Sequence, residues 1–115
     1  MKRPFRLRST QDIHQVRDAG KSFVDPLLVL VALENQGGKT RMAVVVNKAI
    51  GMAVLRNRYK RMVRAVFSHY LPDLKSGYDI VLIIRKRMKE AQHEDLMLSM
   101  RKLLNQAQLF KDATS

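Results

Sequence analysis

The chain has 115 residues, no cysteine, and 22 lysines and arginines against 10 aspartates and glutamates, giving a formal net charge of +12. That length fits one domain spanning residues 1–115, and 46% hydrophobic content is enough for a core without staples. The lack of cysteine excludes disulfides and thiolate metal sites and fits a reducing cytoplasm. No apolar run approaches the ~20 residues of a membrane helix, and the basic start MKRPFRLRST has no apolar stretch behind it such as a secretory signal needs.

In chain order, Ser9-Thr10-Gln11-Asp12 fits a capping box, with Ser9 as N-cap. The helix it opens carries Ile13, Val16 and Ala19 along one side and ends at Gly20. Lys21 to Val24 reads as a short strand before Pro26, and Leu27 to Leu33 as a continuous apolar run of strand length. Asn35-Gln36-Gly37-Gly38-Lys39 is turn chemistry, and Arg41 to Val46 resumes a strand, so the two flanking strands are expected to form a hairpin. Gly51 marks the turn into a helix that Pro72 bounds. After the Lys75-Ser76-Gly77 turn, Tyr78 to Ile84 is another buried strand. A last helix runs from Glu90 or His93 to Leu109, with Leu96, Met100, Leu103, Leu104 and Ala107 at helical spacing, and Lys111 to Ser115 is expected to fray. The order α-β-β-β-α-β-α predicts an α+β fold, one small sheet of about four strands with helices packed on it.

The charge is concentrated. No Asp or Glu falls between Glu34 and Asp73, and the stretch KAIGMAVLRNRYKRMVRAVF lies inside that gap. At about 100° per residue, Leu55, Tyr59, Met62, Val63 and Val66 share one face. Arg56, Asn57, Lys60, Arg61 and Arg64 share the other, with Arg58 on the flank. Opposite charges one turn apart would stabilise a solvated helix, and here there are none. A purely cationic face instead suits a polyanion: arginine binds phosphate bidentately, and asparagine can reach a base edge or 2′-hydroxyl. An anionic membrane would want a bulky exposed apolar face behind the charge. A DNA reader of the helix-turn-helix kind would want a second helix one short turn away, whereas strand-like sequence precedes this helix and a Pro72–Gly77 turn follows it.

Protein-borne chemistry finds little support. His14, His69 and His93 stand singly, without metal-ligand spacing. The acids of His93-Glu94-Asp95 sit at a helix start, where they cap and meet the dipole. Ser9, Ser22, Ser68 and Ser99 lack a His–acid constellation, and no phosphate-cradling glycine motif is present. The seven methionines read as core filler. No catalytic and no metal residue is assigned.

KAIGMAVLRNRYKRMVRAVF resembles the Arg-Asn-Arg signature of the bacterial ribonuclease P protein subunit. RLRSTQDIHQVRDAG is similar to that family's opening, and SGYDIVLIIRKRM to its last strand. The resemblance implies a fold like the second domain of ribosomal protein S5, with a left-handed βαβ crossover where a right-handed one is the rule. It implies a non-catalytic protein component of an endoribonuclease whose active site and Mg²⁺ ions belong to an RNA. The partners implied are that catalytic RNA and precursor tRNA, whose 5′ leader is removed; no cofactor of the protein alone, no obligate protein partner and no membrane follow from it.

Carried over by residue, Lys48, Arg56, Asn57, Arg58, Lys60, Arg61 and Arg64 would meet the catalytic RNA, Gly51 would serve the turn, and Ala53 and Val54 would pack. Phe5, Arg6, Arg8, Ile13, Arg17, Leu28 and Arg85 are the candidates for a leader-binding cleft between the first helix and the sheet. Two departures from the family pattern stand out: Ala49 and Met52 replace a lysine and an asparagine beside the glycine, and Ile13, Arg17 and Leu28 stand near positions that are commonly aromatic. The alternative is a structural, ribosomal-type RNA-binding protein without a processing role.

Overall fold

The structure, a computed structural model, describes residues 5–111. Helix α1 (Thr10–Ala19) begins at Ser9, whose Oγ accepts the Asp12 N–H at 3.3 Å. Gly20 closes it by donating its N–H to the Val16 carbonyl at 2.8 Å. A Cβ at Gly20 would lie 2.6 Å from that oxygen and 2.8 Å from Val31 Cγ1. Only glycine lets the helix turn directly into β1 (Lys21–Val24) this close to the next strand. Then come β2 (Leu28–Glu34), β3 (Arg41–Val46), α2 (Ala53–Tyr70), β4 (Tyr78–Ile84) and α3 (His93–Gln106). The β3 and β4 bounds match the sequence reading. Three 3-10 turns, at Lys48–Ile50, Leu71–Asp73 and Lys86–Glu90, were not legible as elements. At the start of α3 the Gln92 N–H donates to Asp95 Oδ2 at 2.8 Å, so the acids beside His93 do cap a helix.

The four strands lie in the order β1-β2-β4-β3. The antiparallel hairpin is β1–β2, and β4 lies between β2 and β3, antiparallel to the first and parallel to the second. The expected β2–β3 hairpin is therefore wrong. β4 is buried along nearly its whole length, with only Tyr78 and Ile83 partly open, so it belongs inside the sheet and displaces β3 to the edge. The β3–α2–β4 unit is the parallel crossover. Ahead of α1, the N-terminal segment lines up on the free edge of β3: Arg6 bridges Met42, and the Leu7 N–H donates to the Met42 carbonyl at 2.8 Å.

Both sheet faces are covered, which is why the strands read as continuous apolar runs rather than alternating ones. Leu28, Leu30, Met42, Val44, Ile80, Leu82 and Ile84 pack with Tyr59, Val63, Val66 and Phe67 of α2 and Leu96, Met100, Leu103 and Leu104 of α3. On the other face Val31, Ala43 and Val81 pack with Leu7 and with Val16 of α1, flanked by Ile13, Val29, Leu33, Val45 and Ile83. Phe67 is fully buried, and truncating it to alanine would cost ~3–5 kcal/mol. Among the described residues no helix is long and apolar enough to cross a membrane.

Two polar clasps tie the ends. Arg41 donates from Nε and Nη2 to the two Asp79 oxygens at 2.9 and 2.8 Å, while Asn35 Nδ2 donates to Asp79 Oδ1 at 2.7 Å. This bidentate contact raises the Arg41 pKa above its ordinary value. Elsewhere Asp25, buried before β2, accepts from Ser99 Oγ at 2.6 Å and from the Leu27 N–H at 3.0 Å, with Lys102 Nζ 3.9 Å away.

Candidate nucleic-acid interface

α2 starts without help from acids. Its N-cap, Met52, makes no side-chain cap bond, and the first turn holds no Asp or Glu. Gly51 reaches φ 152°, a backbone conformation that favours glycine, and a Cβ there would also push against the tip of Leu55, 2.8 Å from Cδ2. Beyond it the helix has the expected two sides. Tyr59, Val63, Val66 and Phe67 are buried. Asn57, Arg58 and Arg61 are exposed, while Arg56, Lys60 and Arg64 are half-buried. Arg58, on the flank of the helix, is exposed to solvent. Lys48, in the turn before the helix, is exposed as well. The Arg56, Lys60, Arg64 line is the one turned toward the body of the molecule.

What it faces is the N-terminal segment. Arg6, Leu7, Arg8, Ile13, Met42, Ala43, Val44, Lys60 and Arg64 enclose a depression of about 250 Å³. Arg64 has its pKa lowered, first by burial and then by the charge of Arg6. Like charges have been brought together here and partly stripped of water. The Nε atoms of Arg6 and Arg56 are buried and have no hydrogen-bond partner among the described residues. The ion pairs formed among the described residues are Arg41–Asp79 and Lys102–Asp25, and neither involves a cation of α2. An arrangement that confines guanidinium donors without acceptors is suited to an anion from outside.

The cleft candidates divide. Arg6, Arg8 and Ile13 meet in the depression just described. Arg17 is exposed on α1, on the same side of the sheet. Leu28 is a correction: at 0% exposure it sits on the α2–α3 face and offers nothing to a ligand. Its half-buried neighbour Val29 faces α1 instead, one residue and hence one face away. Phe5 lies apart from α1, among Thr40, Leu71 and Leu74. Arg85 is at the end of β4, donating from Nη1 to the Asp25 carbonyl at 3.0 Å in a separate hollow with Lys86 and Arg87. Among the described residues no aromatic side chain joins the apolar cluster on the α1 face of the sheet, and Arg41 and Asp79 share that face at one end. Ala53 and Val54 do not pack either: Val54 is 81% exposed and Met52 82%. One methionine and one valine of apparent core type thus lie on the surface at the helix start. The pairing of Arg6 with Arg64 went unread because it depends on the N-terminal segment reaching β3, which no local pattern signals.

A small mixed sheet carrying an acid-free, guanidinium-rich helix defines a polyanion-binding α+β protein. A family model described as Ribonuclease P matches residues 1–108. The ribonuclease P protein component of Herpetosiphon aurantiacus is 38% identical over 112 residues, covering 97% of this chain and 91% of that one. That of Clostridioides difficile is 32% identical over 104 residues, covering 90% and 91%. The solved RNase P protein of Staphylococcus aureus superposes with a TM-score of 0.85 at 26% identity, covering 93% of this chain and 98% of that one. The one from Thermotoga maritima gives 0.78 at 29% identity, covering 86% and 94%. The chain belongs to the ribonuclease P protein family and is a protein subunit of that ribonuclease.

Proposed function

We propose that this subunit binds the catalytic RNA of ribonuclease P through Lys48, Arg56, Asn57, Arg58, Lys60, Arg61 and Arg64. The 5′ leader of precursor tRNA lies against Arg6, Arg8, Ile13, Arg17 and the α1 face of the sheet. The observation that carries this reading is the crowding of Arg6, Lys60 and Arg64 around one depression, with the Nε atoms of Arg6 and Arg56 buried and without a hydrogen-bond partner among the described residues. An RNA backbone supplies the missing acceptors, and counterion release supplies much of the affinity. The protein lowers the cost of holding a polyanionic substrate beside a polyanionic catalyst, and cutting of the leader follows in the RNA. The catalytic Mg²⁺ ions in this assembly belong to the RNA. Because the apolar cluster on the α1 face holds no aromatic side chain among the described residues, leader contact here rests on charge and apolar packing rather than on aromatic stacking.

The test is cleavage of a precursor tRNA by a bacterial ribonuclease P RNA at low magnesium, with and without the protein. Leader release that depends on the protein is the expected result. Tight RNA binding with no gain in cleavage would overturn the processing role and leave a structural RNA-binding protein.

A further inference from the structure

The depression between Arg6 and Arg64 does not end at Arg6. Its neighbour Phe5 lines a second cavity, of about 400 Å³, together with Thr40, Ser68, Leu71, Pro72 and Leu74. Three of the four elements that wall the first depression also supply the second, within a few residues: Phe5 beside Arg6, Thr40 two residues before Met42, and Ser68 four residues beyond Arg64. Arg64 and Ser68 are one helical turn apart, about 6 Å along α2. The two hollows therefore follow one another between the N-terminal segment and α2. Their chemistry differs. The first is a guanidinium and ammonium site with a small apolar wall. The second has an aromatic and aliphatic floor, with Lys39, Lys75 and Lys111 at its rim and no acid among its described lining residues. Lys111 is engaged with the Pro72 carbonyl at 3.1 Å. Lys39 and Lys75 form no ion pair among those found in the described residues.

We infer that this second cavity receives one unpaired nucleobase of a single-stranded RNA, its ring against Phe5 and Leu71 and its flanking phosphates at Lys39 and Lys75. A floor of ring and methyl groups bordered by ammonium groups matches a nucleotide, apolar on its base faces and anionic on its backbone. An apolar peptide would leave the lysines without partners. The inference rests on the RNA-binding reading above and extends it, because it adds an aromatic base-holding station to a groove whose other contacts are cationic and aliphatic.

The experiment uses the full chain with methyl-labelled leucines and two probes of equal charge, a ribohexamer and its abasic counterpart. The expected result is saturable movement of the Leu71 and Leu74 methyl signals with the hexamer and none with the abasic strand. Binding should favour the hexamer about tenfold, the equivalent of one stacked base. Phe5→Leu, which keeps the apolar fill without the ring, should remove most of that preference. Lys39→Ala and Lys75→Ala should each lower the log–log salt slope by roughly one. Unmoved Leu71 and Leu74 signals overturn the inference, as does an undiminished base preference in Phe5→Leu. If the same preparation still activates precursor cleavage, the base site has failed and the subunit's role has not.

Discussion

Arg41 and Arg64 are both half-buried arginines, and they are treated in opposite ways. Arg41 lies on Asp79, both oxygens engaged, and its charge is held more firmly than in water. Arg64 is pressed against Arg6 and lies in burial that weakens its hold on its proton. Folding satisfies the first and strains the second. A paired guanidinium in this protein is a tie between strands. An unpaired one keeps its donors for a partner, and α2 with the N-terminal segment collects the unpaired ones on one side.

The sharpest way to break that contrast is the combined Arg56→Ala, Lys60→Ala, Arg64→Ala variant. Its affinity for ribonuclease P RNA should fall at least about a hundredfold, with the log–log salt slope reduced by about three. Its urea midpoint should stay level or rise, since self-repulsion is relieved. A stability loss beyond ~1 kcal/mol would mean that these cations also serve the fold. Asp79→Ala should do the reverse. Removing one partner of the partly buried pair and stranding Asn35 should cost about 3 kcal/mol in urea unfolding while leaving the salt slope unchanged. Asp25→Ala strands Ser99 Oγ and the Leu27 N–H and should cost about 2 kcal/mol by the same measurement. The smallest effect belongs to Val54→Ser. At 81% exposure its stability change should lie within ~0.5 kcal/mol. A tenfold loss of RNA affinity in that variant would place the helix start inside the interface.

The sequence displayed the elements more clearly than their neighbours. Arg41–Val46 and Tyr78–Ile84 were legible as strands because each carries five consecutive apolar residues, Met42–Val46 and Ile80–Ile84, close to turn residues. Which strand lies beside which was not legible: the glycines after Glu34 suggest a hairpin, and nothing local says that a strand more than forty residues later in the chain intervenes. The same continuity hid the faces. With helices on both sides of the sheet, Leu28 and Val29 look alike in sequence, yet one packs under α2 and α3 and the other faces α1. On α2 the wheel succeeded because its polar side is marked by charge, and it separated Arg56, Lys60 and Arg64 from Tyr59 and Val63 correctly. Family resemblance placed Ala53 and Val54 in the packing, and the exposed first turn contradicts it.

β4 occupies an inner place in the sheet although it is the last strand to be made. While the nascent chain is leaving the ribosome, the β1–β2 hairpin can close early. Apart from the N-terminal segment at Met42, β3 has no backbone partner until the residues up to Ile84 are available to pair with it. α2 is therefore synthesised complete, cations included, before the surface that fixes its orientation exists. The crossover cannot form piecemeal, and long-range pairing of this kind is slow to nucleate. The strand order therefore leaves the positively charged helix without its full sheet until β4 has been made.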